Sequence, residues 1–285
     1  MVDTKHQILN YNEIESIKAI ILSSDVLLIT AGAGMSADSG LPTFRGDMGF
    51  WKEFPVFESS STRFPDIATP DLFHNDPYLA WAFYGYRYEM YKENNPHDGY
   101  YKLLELCKQK NDDYFVFTSN VDGHFLRAGF QEENIVECHG SINHFQCLND
   151  SCGLVWEEKE ADFVVDIETM YLMSEVPTCS ACGNPARPNI LMFDDFSWNC
   201  DRNKNQQNSF SKWRERLNNK QSKVVVLELG AGQVVRTIQN ISEIFVKEFD
   251  ARLVRVNNDP KDVVCSDLSL CMTSEEAIDC ISVAG

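Results

Sequence analysis

The chain has 285 residues, of which 44% are hydrophobic, 12% aromatic and 24% charged. That composition suits one large folded domain carrying a smaller one and excludes collagen-like, fibrous and low-complexity chains. Its 43 acidic residues against 25 Lys and Arg give a formal charge of -18, the wrong sign for direct nucleic-acid binding or attachment to an anionic membrane, and one that attracts Lys-rich peptides.

Residues 1–13 are polar, with no apolar stretch of the kind a secretory leader carries, and the apolar runs at 19–22 and 224–227 are too short to cross a bilayer. A cytosolic, cytoplasmic protein is expected. Residues 11–22 place Ile14, Ile17, Ile20 and Ile21 on one helical face. Residues 26–30 form an apolar run that ends in Ala31-Gly32-Ala33-Gly34, a strand feeding a glycine turn. Between 43 and 77 Pro, Phe and Ser recur without a period, which predicts a long, partly mobile loop. The stripe Leu79, Phe83, Tyr86 and Met90 predicts a helix over 78–91, and residues 99–107 another, together a helical insertion.

Residues 114–117 read as a strand ending at Thr118-Ser119-Asn120-Val121-Asp122. Residues 224–229 then run into Gly230-Ala231-Gly232, and 252–256 into Asn257-Asn258. Three strands with small or polar residues at their carboxyl ends, separated by helices, predict an α/β fold. It is a Rossmann-like, doubly wound parallel sheet with its ligand crevice beyond those ends.

Ten cysteines in a reducing compartment call for metal binding or free thiols. Cys147 and Cys152 flank four residues, Cys179 and Cys182 flank two, and 26 residues separate the pairs. Four thiolates so paired satisfy a tetrahedral Zn(II) and leave no open position, so a structural zinc-ribbon module is expected. Gly153 and Gly183 supply the turns. The alternative is four unrelated thiols. Cys107, Cys138, Cys200, Cys265, Cys271 and Cys280 show no metal spacing and carry no role. Likewise His6, His74, His97, His124 and His144 carry no sign of more than a structural part.

On spacing alone, Gly32-Ala33-Gly34-Met35-Ser36 is either a phosphate-binding helix start or a tight β–α turn, since Gly40 follows six residues after Gly34 rather than three. Residues 32–46 nevertheless closely resemble the signature of the sirtuins, NAD-dependent protein deacylases. Thr118-Ser119-Asn120-Val121-Asp122 is similar to their Thr-Gln-Asn-Ile-Asp segment, Glu137-Cys138-His139-Gly140-Ser141 to their catalytic His-Gly segment, and the four cysteines to their zinc ribbon. Arg187-Pro188, Leu229-Gly230 and Val256-Asn257 follow in the same order.

The resemblance implies three regions. Residues 1–45, 96–140 and 188–285 would form the NAD-binding domain, 46–95 a cofactor loop and helical insertion, and 141–187 the zinc module. It implies NAD and Zn(II) as cofactors and an acyl-lysine protein or peptide as partner. Gly32, Ala33, Gly34 and Ser36 would lie at the pyrophosphate, and Phe44 and Arg45 on a loop over the cofactor. Ser119, Asn120, Val121 and Asp122 would surround nicotinamide, while Gly230, Ala231, Gly232, Asn257 and Asn258 serve the rest of the dinucleotide. A carboxamide suits an acceptor, Asp122, and a donor, Asn120, in an apolar pocket of Leu41, Phe44 and Val121. His139 is the implied general base, with Asn120 and Asp122 beside it in the catalytic set. The implied products are free lysine, nicotinamide and O-acyl-ADP-ribose.

Tyr84 and Arg87 have the Tyr-x-x-Arg spacing of sirtuins similar to the succinyl- and malonyl-lysine removers, where a phenol and a guanidinium on one helical face engage an acyl carboxylate. An aromatic core stripe with a surface Arg is the competing reading. Phe193 falls in the segment that pairs with substrate backbone. Four residues depart from the pattern: Ser119 for Gln, Asp194 for Gly, and Ala231 and Gly232 for a Thr-Ser pair. NAD glycohydrolysis, ADP-ribosyl transfer, or a catalytically silent NAD-binding module remain alternatives on the same fold.

Overall fold

The structure is a computed structural model that describes residues 4–44, 46–111, 113–263 and 268–282, with side chains from residue 12 onward. Helix α1 (Thr4–Ser23) leads into strand β1 (Val26–Ala31) and the short α2 (Ala33–Ala37). Four short helices follow: α3 (Gly46–Glu53), α4 (Val56–Ser59), α5 (Phe64–Ile67) and α6 (Pro70–Asn75). The longer α7 (Pro77–Glu93) and α8 (Asp98–Lys108) precede β2 (Tyr114–Thr118), α9 (His124–Arg127) and β3 (Ile135–Glu137). A small excursion contains β4 (Gly140–Cys147), β5 (Val155–Glu157), β6 (Val165–Asp166), β7 (Tyr171–Leu172) and β8 (Ala186–Ile190). Helix α10 (Asp201–Lys220), β9 (Val224–Leu229), α11 (Thr237–Phe249), β10 (Arg252–Val256), β11 (Leu268–Leu270) and α12 (Ser274–Ser282) complete the chain.

Six strands form a parallel sheet in the order β11-β10-β9-β1-β2-β3. Strand side chains alternate between its two faces. On one face Leu27 and Ile29 pack with Ile17 and Ile21 of α1, Leu103 of α8 and Ile278 of α12. On the other, Val26, Leu28 and Phe115 pack with Phe210 and Trp213 of α10 and Phe245 of α11. Helices on both faces make this the doubly wound α/β architecture expected.

Register sets where the loops begin. Ala31 pairs with Thr118 on one side and Leu229 on the other, Thr118 pairs with Glu137, and Leu229 with Val256. The last residues of five strands therefore lie in one row, and every segment beyond them emerges at the same edge. Order reverses at β1, whose neighbours are β2 and β9, and such a switch point is where open α/β sheets bind ligands.

The segment 43–77 differs from its expected loop. It folds into α3–α6, of four to eight residues each, too short to impress a 3.6-residue period on the sequence. Phe50, Phe54, Phe57 and Phe73 are buried there, and Pro70 opens α6 where a missing N–H does no harm.

The helical insertion and the cysteine-bearing excursion share one aromatic core. Trp81 stacks on Phe163 at 5.0 Å and donates from Nε1 to Ala186 O at 2.8 Å. Gly85 stands inside α7 because a Cβ there would lie 2.8 Å from the Phe163 ring.

Candidate functional site

The glycine turn after β1 is shaped by backbone meeting backbone. Gly32 N–H donates to Leu229 O at 2.9 Å and Gly34 N–H to Gly230 O at 3.0 Å. A Cβ on Gly34 would fall 2.6 Å from Gly230 Cα, and Gly230 has φ +62° with its own Cβ position 2.4 Å from Gly34. Only glycine fits either place. Met35 N–H turns back to Gly32 O at 3.0 Å. The open row of amides expected at the start of α2 is thus reduced by contacts within the turn. Asn257 is a tie as well: its Nδ2 donates to Ala231 O at 2.8 Å, and its Oδ1 accepts Asp259 N–H. Gly232 and Asn258 follow on these two loops, beyond β9 and β10.

Beyond β2, Ser119 N–H and Thr118 Oγ1 both donate to Ala31 O. Asn120 Nδ2 donates to Gly32 O and to Ser36 Oγ, each at 2.9 Å; the Gly32 carbonyl accepts only, which fixes the amide orientation. Ser36 Oγ donates to Asp122 Oδ2 at 2.6 Å, and Tyr100 OH lies 3.1 Å from it. With its one proton given to Asp122, Ser36 accepts from both Asn120 and Tyr100. The Ser36 hydroxyl, expected beside the pyrophosphate, is buried and saturated. It positions Asn120 and Asp122.

Asn120 differs from expectation too. Its N–H groups are taken up, and Oδ1 has no partner among the described residues, so it presents an acceptor rather than a donor. Asp122 adds a second acceptor, held by Ser36 and by His124 N–H. Two acceptors together suit the two N–H groups of a primary carboxamide. Leu41 and Val121 are buried in one apolar cluster, with Phe44 packed against it at φ +49°. Arg45 lies outside the described residues, as does Cys265.

His139 stands between β3 and β4. Gly140 makes that turn at φ +80°, where a Cβ would strike Asn189 O at 2.0 Å. Burial lowers the imidazole pKa, and a hydrogen bond to the Ser119 backbone draws it partly back, so the ring is neutral near pH 7. Helix α10 grips the preceding strand end. Arg202 Nη2 meets Glu137 Oε2 at 2.5 Å, Asn203 Nδ2 donates to Glu137 O, and Gln206 Oε1 accepts Glu137 N–H. Leu191 N–H donates to His139 O, which brings the segment containing Phe193 alongside.

Phe193 is 42% exposed, and its N–H already donates to Ala68 O at 3.0 Å. Asp194 adopts φ +52°, the left-handed conformation that the family's glycine takes easily. The Asp195 carboxylate is fully buried against Arg187, with Nη2 to Oδ2 at 2.7 Å, and accepts from Met192 N–H and Ser197 N–H, so it anchors the segment.

The four cysteine sulfurs come together, all within 4.8 Å of one another, with Cys147 and Cys182 3.4 Å apart and Cys152 and Cys179 3.7 Å apart. Tetrahedral Zn–S bonds of about 2.3 Å place sulfurs about 3.8 Å apart, so the set fits Zn(II). Gly153 and Gly183 take φ +63° and +72° as the turns require. Asn149 N–H and Asn184 Nδ2 donate to sulfur, and the Asn184 hydrogen bonds bring the Cys182 thiol down to about 6.

Arg87 is not a surface residue. It is 6% exposed and its guanidinium carbon lies 5.1–5.4 Å from the ring centres of Phe44, Phe83, Tyr84 and Tyr91. No carboxylate pairs with it among the described residues. Tyr84, 1% exposed, has its phenol pushed up to about 12 by burial, so it stays a donor, and no partner holds its hydroxyl among the described residues. Both residues of the expected pair therefore lie together.

A sequence profile of the Sir2 family matches residues 32–226. The chain belongs to the Sir2 family. An "NAD-dependent protein deacylase" of Candida albicans is 40% identical over 130 residues, 45% of this chain and 40% of that protein. An "NAD-dependent protein deacylase 2" of Pyrobaculum aerophilum is 32% identical over 245 residues, 86% of this chain and 84% of that protein. A solved Sir2 homolog–NAD complex superposes with TM-score 0.71 at 25% identity, covering 94% of this chain and 92% of the other. In the first curated relatives the matched stretch spans 40–65% of their length.

Sequence reasoning missed Tyr91, Tyr100, Arg202 and Gln206. Tyr91 follows Arg87 by four residues, a spacing that places two side chains on one helical face and so was readable. Tyr100, Arg202 and Gln206 reach the site only through tertiary packing, and nothing in their local sequence announces it.

Proposed function

We propose that this Sir2-family chain is an NAD-dependent protein-lysine deacylase with a preference for acyl groups ending in a carboxylate. The carrying observation is the joint placement of His139, Asn120, Asp122 and the Gly32–Gly34 turn along one sheet edge, with a cationic aromatic box on α7 nearby. NAD, when bound, would supply a glycosidic bond whose cleavage releases nicotinamide and leaves the ribose to accept the acyl group. The chain's part is positional. Asn120 Oδ1 and Asp122 offer acceptors to a carboxamide, Gly32, Gly34 and Gly230 hold the two loops in backbone contact at the dinucleotide's side, and Asn257 holds the 231 loop. His139, neutral through burial, is suited to take a ribose hydroxyl proton. Leu41, Val121 and Phe44 keep water from the reacting carbon. Zn(II), held by Cys147, Cys152, Cys179 and Cys182, is structural, since four sulfurs leave no open coordination position.

Arg87 supports the acidic-acyl preference. A buried cation without a carboxylate is costly, and an anionic ligand relieves that cost. The substrate is a protein or peptide acyl-lysine, and the setting is the cytoplasm. No helix among the described residues is long and apolar enough to cross a membrane.

Acetyl-, succinyl- and malonyl-lysine peptides incubated with NAD and followed by mass spectrometry test this reading. We expect succinyl and malonyl peptides to turn over at least about tenfold better in kcat/KM than acetyl, and His139→Ala to reduce turnover by about two orders of magnitude or more. Equal rates, unchanged by Arg87→Met, would remove the acyl preference. Nicotinamide release without any acyl-peptide would point to glycohydrolysis, and NAD binding without any release to a silent module.

A further inference from the structure

The geometry points to Tyr91 as the positioning residue that aims Arg87 at an acyl carboxylate, an inference that rests on the acidic-acyl reading above. Tyr91 lies one turn beyond Arg87 on α7 and is buried beside it. Its hydroxyl oxygen accepts two guanidinium hydrogen bonds, from Nε at 3.1 Å and from Nη2 at 2.8 Å. A guanidinium carries five N–H groups in one plane: one on Nε and two on each terminal nitrogen. Tyr91 occupies the edge formed by Nε and one N–H of Nη2. The edge formed by Nη1 and the other N–H of Nη2 has no partner among the described residues, and that edge is a two-pronged fork matched to one carboxylate.

The surrounding rings reinforce the arrangement, because Phe44, Phe83 and Tyr84 attract the cation through their faces but accept no hydrogen bond in its plane. Rings therefore hold the charge in place and Tyr91 sets its rotation. Burial raises the pKa of the Tyr91 phenol while Arg87 draws it partly back, so the hydroxyl stays protonated and neutral at pH 7. It orients Arg87 without neutralising it, as an aspartate in the same place would. The acyl class favoured is a carboxylate on a short chain. A neutral acyl group gains nothing from the free edge.

Steady-state kinetics of the full chain with succinyl-lysine and acetyl-lysine peptides tests the role. We expect Tyr91→Phe to raise KM for the succinyl peptide by about tenfold with kcat within about twofold, and to leave both constants for the acetyl peptide unchanged. Arg87→Lys keeps the charge but not the fork, and should raise the succinyl KM similarly. A Y91F effect shared by both peptides, or absent from both, overturns the inference; so does a succinyl KM untouched by R87K, should Y91F fail to fold. Arg87→Met separates the two levels. If R87M changes neither substrate, the acidic-acyl reading itself falls. If R87M abolishes the succinyl preference while Y91F does not, that reading stands and Tyr91 has no part in it.

Discussion

His139 illustrates how burial tunes a single group. Its neutral form is favoured in the folded chain, so its pKa lies below the ordinary 6.5. We expect kcat/KM to be flat from about pH 8 down to about 6.5, with the acid limb below that value; a limb centred above 6.5 contradicts the assignment. The same shift bears on stability. An unfolded chain takes up a proton near pH 6.5 that the folded imidazole refuses, so stability from this group is complete above that pH and declines as pH falls. His144, lowered to about 4 by burial and by Arg202, adds to the decline between those two values. The residue types of the site were readable from sequence, their partners less so. Asn120 and Ser36 lie together, and hydrogen bonds to a carbonyl and a tyrosine distant in sequence turn Asn120 into an acceptor and Ser36 into its support.

Short elements depend on what they touch, and α2 is the plainest case. Five residues long, it is positioned by the approach of Gly34 to Gly230. Gly34→Ala puts a methyl 2.6 Å from backbone that has no side chain to swing aside, so the two loops must separate. We expect a loss of about 2 kcal/mol by chemical denaturation and at least about tenfold weaker NAD binding by calorimetry. An unaltered affinity would show that the close approach is irrelevant to the cofactor. Helices α7 and α8 were legible from apolar residues at helical spacing, and β1, β2 and β9 as continuous apolar runs, buried at every residue, that end in small or polar residues. The helices α3–α6 were not, because each spans barely one or two turns and is held by phenylalanines whose partners lie on other elements. The Arg187–Asp195 ion pair was illegible for a related reason: each residue was visible only as part of a motif, and the buried pair exists only once β8 has formed.

At the scale of the molecule two cores meet. The sheet with α1, α8, α10, α11 and α12 has apolar clusters of its own, whereas α3–α7 and the cysteine-bearing strands share a separate one. Trp81 and Phe163 join the insertion to the metal module, and Arg87 and Tyr84 lie on the same helix α7 as Trp81. Four thiols gathered within 4.8 Å repel one another once ionised unless a cation holds them, so removing Zn(II) loosens β4, β5 and β8 first. That disturbance reaches Phe163, then Trp81 and the register of α7, and with it the fork of Arg87. The glycine turn and Asn257 follow strands β1 and β10 of the other core, whereas Leu41, Phe44 and Val121 share the core of α7. A chelator that strips zinc should therefore abolish deacylation of succinyl peptides and lower near-ultraviolet circular dichroism from the aromatic cluster, while calorimetric affinity for ADP-ribose, which lacks the nicotinamide, stays within about threefold. Parallel loss of both would mean that the cores fold as one unit; full activity without metal would mean that the aromatic core holds α7 in place by itself.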